Sequence, residues 1–217
     1  MNIKDIDSHC HDRSAGLLTL TLDEYRGYES APGQKLVVGL HPWDTLECDM
    51  YEAFEILSDA ITDPNVVAIG EIGIDPLHGA SVERQEQLLR YQLQVAADAR
   101  MPVVFHIVRR YDILLKLHAE FRPVSASAVH GFRAKPEVAA QLADAGIYMS
   151  IGSKFNAETV KMIPRELLLL ETDELPESEI RNVIAAVADV RGMRQGALAD
   201  LARENLRRFL NSGAKSV

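Results

Sequence analysis

Asp7-Ser8-His9-Cys10-His11 closes a short apolar run, Ile3 to Ile6, that reads as an N-terminal strand. Side chains two apart on a strand point to one face, so His9 and His11 aim at one point. Two imidazoles on one face supply half of a divalent-metal site and leave the remaining ligands to come from elsewhere. A lone His-x-His also arises by chance, so the reading turns on whether other strand ends carry metal-type groups. His41, Glu71, His106, His130 and Asp173 each follow an apolar run of strand type. His9, His11, Glu71, His106, His130 and Asp173 together offer four imidazoles and two carboxylates, more than one ion takes. Two divalent ions about 3.5–4 Å apart would use them, with a bridging hydroxide as the nucleophile near neutral pH. Histidine-rich ligation favours Zn, Mn or Fe over Mg. A nucleophilic serine or a phosphate loop is not indicated, because neither Gly-x-Ser-x-Gly nor Gly-x-x-x-x-Gly-Lys-Ser/Thr occurs.

The elements that must position these groups alternate along the chain. Apolar runs at 17–22, 35–40, 66–69, 103–106, 126–130, 147–151 and 167–170 read as strands, with helical periods at 49–61, 82–100, 113–120, 136–145, 157–162, 177–190 and 195–210. Gly146 suits the end of the helix before it. Counting Ile3 to Ile6, about eight continuous apolar strands interleave with helices, the pattern of a parallel sheet covered on both faces. The expected fold is therefore α/β, a TIM (β/α)8-type barrel shortened after the first strand, in which strand C-termini converge on one mouth. Nothing in the composition breaks residues 1–217 into more than a single domain. His78, in a loop, and His118, within a helix, read as structural or solvent-facing, Asp75 as a loop-anchoring acceptor, and Cys10 as a small buried hydrophobe on the face opposite the histidines.

Composition excludes several classes. Hydrophobic residues at 47% and charged residues at 25% are those of a globular protein, with no collagenous or disordered signature. Two cysteines and no Cys-x-x-Cys argue for a reduced, cytoplasmic setting. No basic leader precedes an apolar core, and no apolar run approaches the ~18 residues of a membrane span. A net charge of −9 opposes broad electrostatic capture of nucleic acid, although bound cations would make an acidic mouth locally positive. The oligomeric state is left open by these features, and a monomer is compatible with them.

Asp7-Ser8-His9-Cys10-His11, Gly39-Leu40-His41-Pro42, Gly70-Glu71-Ile72-Gly73-Ile74-Asp75, Pro102-Val103-Val104-Phe105-His106, His130-Gly131-Phe132 and Leu170-Glu171-Thr172-Asp173 resemble, in order, the successive motifs of the TatD family of metal-dependent hydrolases. Arg203 to Leu210 resembles the family's closing Asn-x-x-x-Phe helix. The resemblance implies a TIM-barrel metallohydrolase of phosphodiesters, several members being DNases. It implies that His9, His11 and Asp173 bind one metal, that His106 and His130 bind the other, and that Glu71 bridges them. Asp173 would also orient or deprotonate the attacking water, and His41 would contact substrate at the rim. Arg109, like Arg110, Arg133 and Lys154, follows a strand and could meet a substrate phosphate, although surface solvation accounts for each equally well.

This chain departs from the family pattern where substrate would lie. It is shorter between His11 and Gly39, where a full helix does not fit. Pro76 and Leu77 stand at family aromatic positions, His106-Ile107-Val108-Arg109 is one residue longer than the family's His-x-Arg, and Glu174-Leu175-Pro176 replaces a Pro-aromatic pair. The expected activity is divalent-metal-dependent hydrolysis of phosphoesters, with nucleic acid as substrate. The alternatives are a same-barrel hydrolase of a small phosphoester or amide, and a non-catalytic metal-stabilised binding protein.

Overall fold

The protein is described by a computed structural model covering residues 5–121 and 125–213. It divides into two compact units, Thr19–Ser127 with Ser212–Val217, and Met1–Leu18 with Ala128–Asn211.

Strand β1 (Leu17–Thr21) leads into the first unit. Thr21 and Glu24 cap each other's backbone reciprocally, and the resulting helix α1 (Leu22–Tyr25) is a single turn, matching the short connection expected there. The unit continues through β2 (Lys35–Gly39), α2 (Met50–Ala60), β3 (Val66–Ile74), α3 (Val82–Ala99), β4 (Val103–Ile107) and α4 (Tyr111–Glu120). Strands β2, β3 and β4 pair in parallel, with Val38 beside Ile69 and Gly73 beside His106. Strand β3 extends beyond the expected run at 66–69, so Glu71 lies inside it rather than after its end. Two glycines allow this. A Cβ at Gly70 would stand 2.7 Å from the Val104 carbonyl oxygen, and one at Gly73 would collide with the carbonyl oxygen of His106. Only glycine lets the β3 backbone come this close to β4, across a register irregularity between Ile69 and Ile72.

Helix α3 starts where the Ser81 hydroxyl accepts the Arg84 N–H and ends with Arg100 in the left-handed region at φ 54°. Its buried face, Gln85, Leu88, Leu89, Gln92, Leu93 and Ala96, follows helical spacing, and each buried leucine contributes about 1.5–3 kcal/mol. Gln92 uses both ends of its amide on Leu40, accepting its N–H at 2.8 Å and donating to its carbonyl at 3.2 Å, which fixes the chain just before His41.

The second unit holds β5 (Ser127–Val129), α5 (Pro136–Asp144), β6 (Tyr148–Ile151), α6 (Ala157–Met162), β7 (Leu168–Leu170), α7 (Ile180–Arg191) and α8 (Gln195–Leu210). Its strands pair in parallel, β5 with β6 and β6 with β7. Gly146 follows α5 at φ 73°, as its place in the sequence suggests. Buried Asn205 of α8 donates to the carbonyls of Arg165 (2.6 Å) and Leu168 (2.8 Å), and Phe209 meets Tyr148 edge to face. Residues 3 and 4 of the expected first strand lie outside the described residues. Its continuation pairs in parallel with the end of β7, Asp7 beside Leu170 and Cys10 beside Asp173. Among the described residues no helix is long and apolar enough to cross a membrane.

Candidate metal centre

In the second unit, backbone pairing brings the opening motif and the Glu171-Thr172-Asp173 segment side by side. The Ser8 N–H donates to the Leu170 carbonyl (2.9 Å), the Asp173 N–H to that of His9 (3.0 Å), and the His11 N–H to that of Asp173 (3.1 Å). Buried Asp7 accepts the Thr172 N–H (3.1 Å) and hydroxyl (2.5 Å), which locks the two segments in register. Burial pushes the Asp7 carboxyl up to about 7 despite these donors. Asp173 adopts left-handed backbone, φ 57°, and its carboxylate lies 3.7 Å from buried His9 Nε2. The His9 ring stands 4.2 Å from that of His130 and 5.0 Å from that of His11. Ligand atoms of His9, His130 and Asp173 all lie within 4.8 Å of one another, as do those of His11, Asp173 and Glu174.

Glu171 is a functional group that the strand-end pattern passes over. It is fully buried, its Oε1 accepts the Gly131 N–H at 2.6 Å, and the same oxygen lies 3.9 Å from His130 Nδ1. Burial pushes its carboxyl up to about 8, against the opposing pull of His130. The Glu171 carboxyl thus lies beside the His130 ring, on the side of Nδ1. Its position directly before Thr172-Asp173 on an apolar strand end is the one sequence signal that marks it. Cys10 is buried and turned toward Thr172, with the hydroxyl 3.1 Å from Sγ, and burial raises its thiol to about 11.

In the first unit the donor set is His41, Glu71 and His106. Glu71, buried on β3, places Oε2 3.3 Å from His106 Nδ1 and 3.6 Å from His41 Nε2. His41 Nδ1 accepts the Trp43 N–H at 3.3 Å, so its neutral tautomer carries the ring proton on Nε2, facing Glu71. His106 lies within β4 rather than beyond it, and its Nε2 is 3.7 Å from Asp75 Oδ2.

Asp75 does anchor its loop. Its Oδ1 accepts the Leu77 N–H (2.9 Å), while Oδ2 receives the Trp43 indole N–H (2.7 Å) and faces His78 Nδ1 (2.9 Å). Burial raises this carboxyl, but the three hydrogen bonds and His106 outweigh it and hold it below the ordinary value. The Gln85 side chain then ties the turn, donating to the carbonyls of Asp75, His78 and Ala80. His78 is thus exposed yet paired, and His118 contacts Ser127 in a structural role. Arg109 is exposed at φ 63°, just past β4.

Each unit therefore gathers imidazole nitrogens and carboxylate oxygens of the type that first-row divalent ions take, and neither set is a closed cage of four protein ligands. The donor chemistry fits a divalent metal.

The fold resembles the crystal structure of YjjV, a TatD homologue from Escherichia coli K12, with a TM-score of 0.80 at 24% identity over 96% of this chain and 98% of that one. It also resembles the crystal structure of a TatD family hydrolase from Entamoeba histolytica, with a TM-score of 0.75 at 19% identity over 91% and 85% of the two chains. The architecture is a TIM-barrel-type fold, and its donor set suits a divalent metal. The sequence model of the family described as TatD related DNase matches residues 17–211, and the chain belongs to that family. Among its relatives are the uncharacterized metal-dependent hydrolase YabD of Bacillus subtilis, 26% identical over 79% of this chain and 75% of that protein, and the 3'-5' ssDNA/RNA exonuclease TatD of Citrobacter koseri, 30% identical over 74% and 68%.

Proposed function

We propose that the protein, acting as one catalytic domain, hydrolyses phosphodiester bonds of single-stranded nucleic acid with two divalent ions held by His9, His11, Glu71, His106, His130 and Asp173. The observation that carries this reading is the gathering of donor atoms in each unit: those of His9, His130 and Asp173 lie within 4.8 Å of one another, and Glu71 Oε2 lies 3.3 Å from His106 Nδ1. The neighbouring rings of His9 and His130 support a shared ion for these two residues. Bound divalent ions supply an acidified water and stabilise charge on phosphoryl oxygens.

The chain's own residues do the rest. Asp173, partly exposed beside buried His9, is the carboxylate placed to accept the proton of an attacking water. Glu71 holds the His41 and His106 rings against one carboxylate oxygen. Exposed Arg109, just past β4, offers a guanidinium to a substrate phosphate, and His41, beside Glu71, is a further substrate contact. Glu171 orients His130. A small phosphoester is the second reading, favoured by the net charge of −9, which repels a polyanion. Free Cys10 and Cys48 support a reducing, cytoplasmic setting.

The test is hydrolysis of a labelled single-stranded oligonucleotide by metal-loaded protein, with bis-p-nitrophenyl phosphate in parallel and chelator as control. Chelator-sensitive cleavage of the oligonucleotide is expected. Turnover of the small diester alone would favour the second reading, and turnover of neither would overturn both.

A further inference from the structure

We propose that Trp43 is a fixed stacking platform for a nucleobase of the substrate, beside the His41, Glu71 and His106 cluster; the proposal rests on the phosphodiesterase reading above. Trp43 is the chain's only tryptophan and is 51% exposed, an unusual position for so large an apolar ring. It is nevertheless held in place. Its indole N–H donates to buried Asp75 at 2.7 Å, its backbone N–H donates to His41 Nδ1 at 3.3 Å, and Gln85 braces the turn that carries Asp75. The ring centroid stands 5.1 Å from that of His41 and 5.9 Å from that of His106, both edge to face, and 4.8 Å from the tilted ring of exposed His78.

Two consequences follow from this geometry. The one polar atom of the indole is already engaged by Asp75, so the ring can offer a ligand only its π-surface, which suits a flat aromatic group. The ring is also ordered before binding, so a stacked partner does not have to immobilise it. A nucleotide whose phosphate meets the His106 cluster would bring its base to this surface. Base-aromatic stacking tolerates any base, since each has a π-face, so the platform selects nucleotides over other phosphoesters without selecting among bases.

The sole tryptophan is its own reporter. Metal-loaded protein is titrated with thymidine 5'-monophosphate and, separately, with deoxyribose 5-phosphate, following emission on excitation of Trp43. Saturable quenching by the nucleotide and none by the sugar phosphate is expected. On a single-stranded oligonucleotide, Trp43→Ala should raise KM about fivefold to tenfold with kcat changed less than about twofold. Trp43→Phe, which keeps a ring but loses the bond to Asp75, should recover most of that loss, which a purely structural role would not allow. In Trp43→Ala, the KM ratio between a strand with an abasic end and an intact strand should fall toward one. Emission unchanged at nucleotide concentrations that inhibit hydrolysis, or an unchanged KM in Trp43→Ala, would overturn the platform. Quenching without cleavage of any strand would uphold the platform and overturn the phosphodiesterase reading.

Discussion

Asp173 and Glu171 sit two residues apart, yet their surroundings give them different work. The Asp173 side chain is 43% exposed and turned by left-handed backbone toward His9, while Glu171 is sealed behind His130. The open carboxylate is the one that can exchange protons with a substrate water. Asp173→Asn should therefore reduce chelator-sensitive turnover about 10²–10⁴-fold while leaving the far-UV circular dichroism spectrum unchanged; a loss below tenfold would remove Asp173 from the chemistry. Asp75 makes a prediction about pH. Its folded-state pKa lies below the ordinary value, so it stabilises the fold above the unfolded carboxylate pKa and loses that contribution as pH falls through the folded one. In chelator-treated protein, Asp75→Asn should cost about 1.5–3 kcal/mol at pH 7 by urea unfolding, with the difference from wild type shrinking below about pH 4. A difference that does not vary with pH would show that the carboxylate charge is not what Asp75 contributes.

Among the elements, those set by local pattern were the readable ones. The apolar runs at 35–40 and 103–106 became β2 and β4, and the stripe at 82–100 became α3. His9, His11, Glu71, His106, His130 and Asp173 stand out as candidate ligands because each adjoins or ends such a run. What sequence pattern could not reach depends on partners far along the chain. Trp43 is anchored by Asp75, 32 residues away, and Glu171 lies 3.9 Å from His130, 41 residues before it, so neither contact leaves a local periodicity. The expected strand stops at 69, whereas Gly70 and Gly73 allow the close approach to β4 that carries β3 on to Ile74. Gly73→Ala should thus destabilise by about 3 kcal/mol or more, or prevent soluble expression, since its methyl group meets backbone that cannot move aside. The closing helix motif has a plain physical content, because Asn205 satisfies the carbonyls of Arg165 and Leu168. Asn205→Ala should cost about 2–3 kcal/mol in thermal or urea unfolding.

For the whole molecule, charge and metal are linked. On the proposed reading, a chain of net charge −9 does not draw in a polyanion by diffuse attraction and relies on the bound ions and Arg109. One cationic side-chain contact to a single strand gives a shallow salt dependence, so KM for an oligonucleotide should rise only about threefold between 50 and 200 mM salt. A rise of a hundredfold would mean that many cationic side chains contact the strand. The proposed hydrolysis needs divalent ions at the six proposed ligands, and metal content is the most direct measure of that. Protein stripped with chelator, reconstituted with Zn or Mn and desalted should retain close to two ions per chain by elemental analysis, and fewer in His9→Ala and in His106→Ala. Retention of no ion after reconstitution would mean that these residues do not form a metal centre, and the proposed chemistry would fall with it.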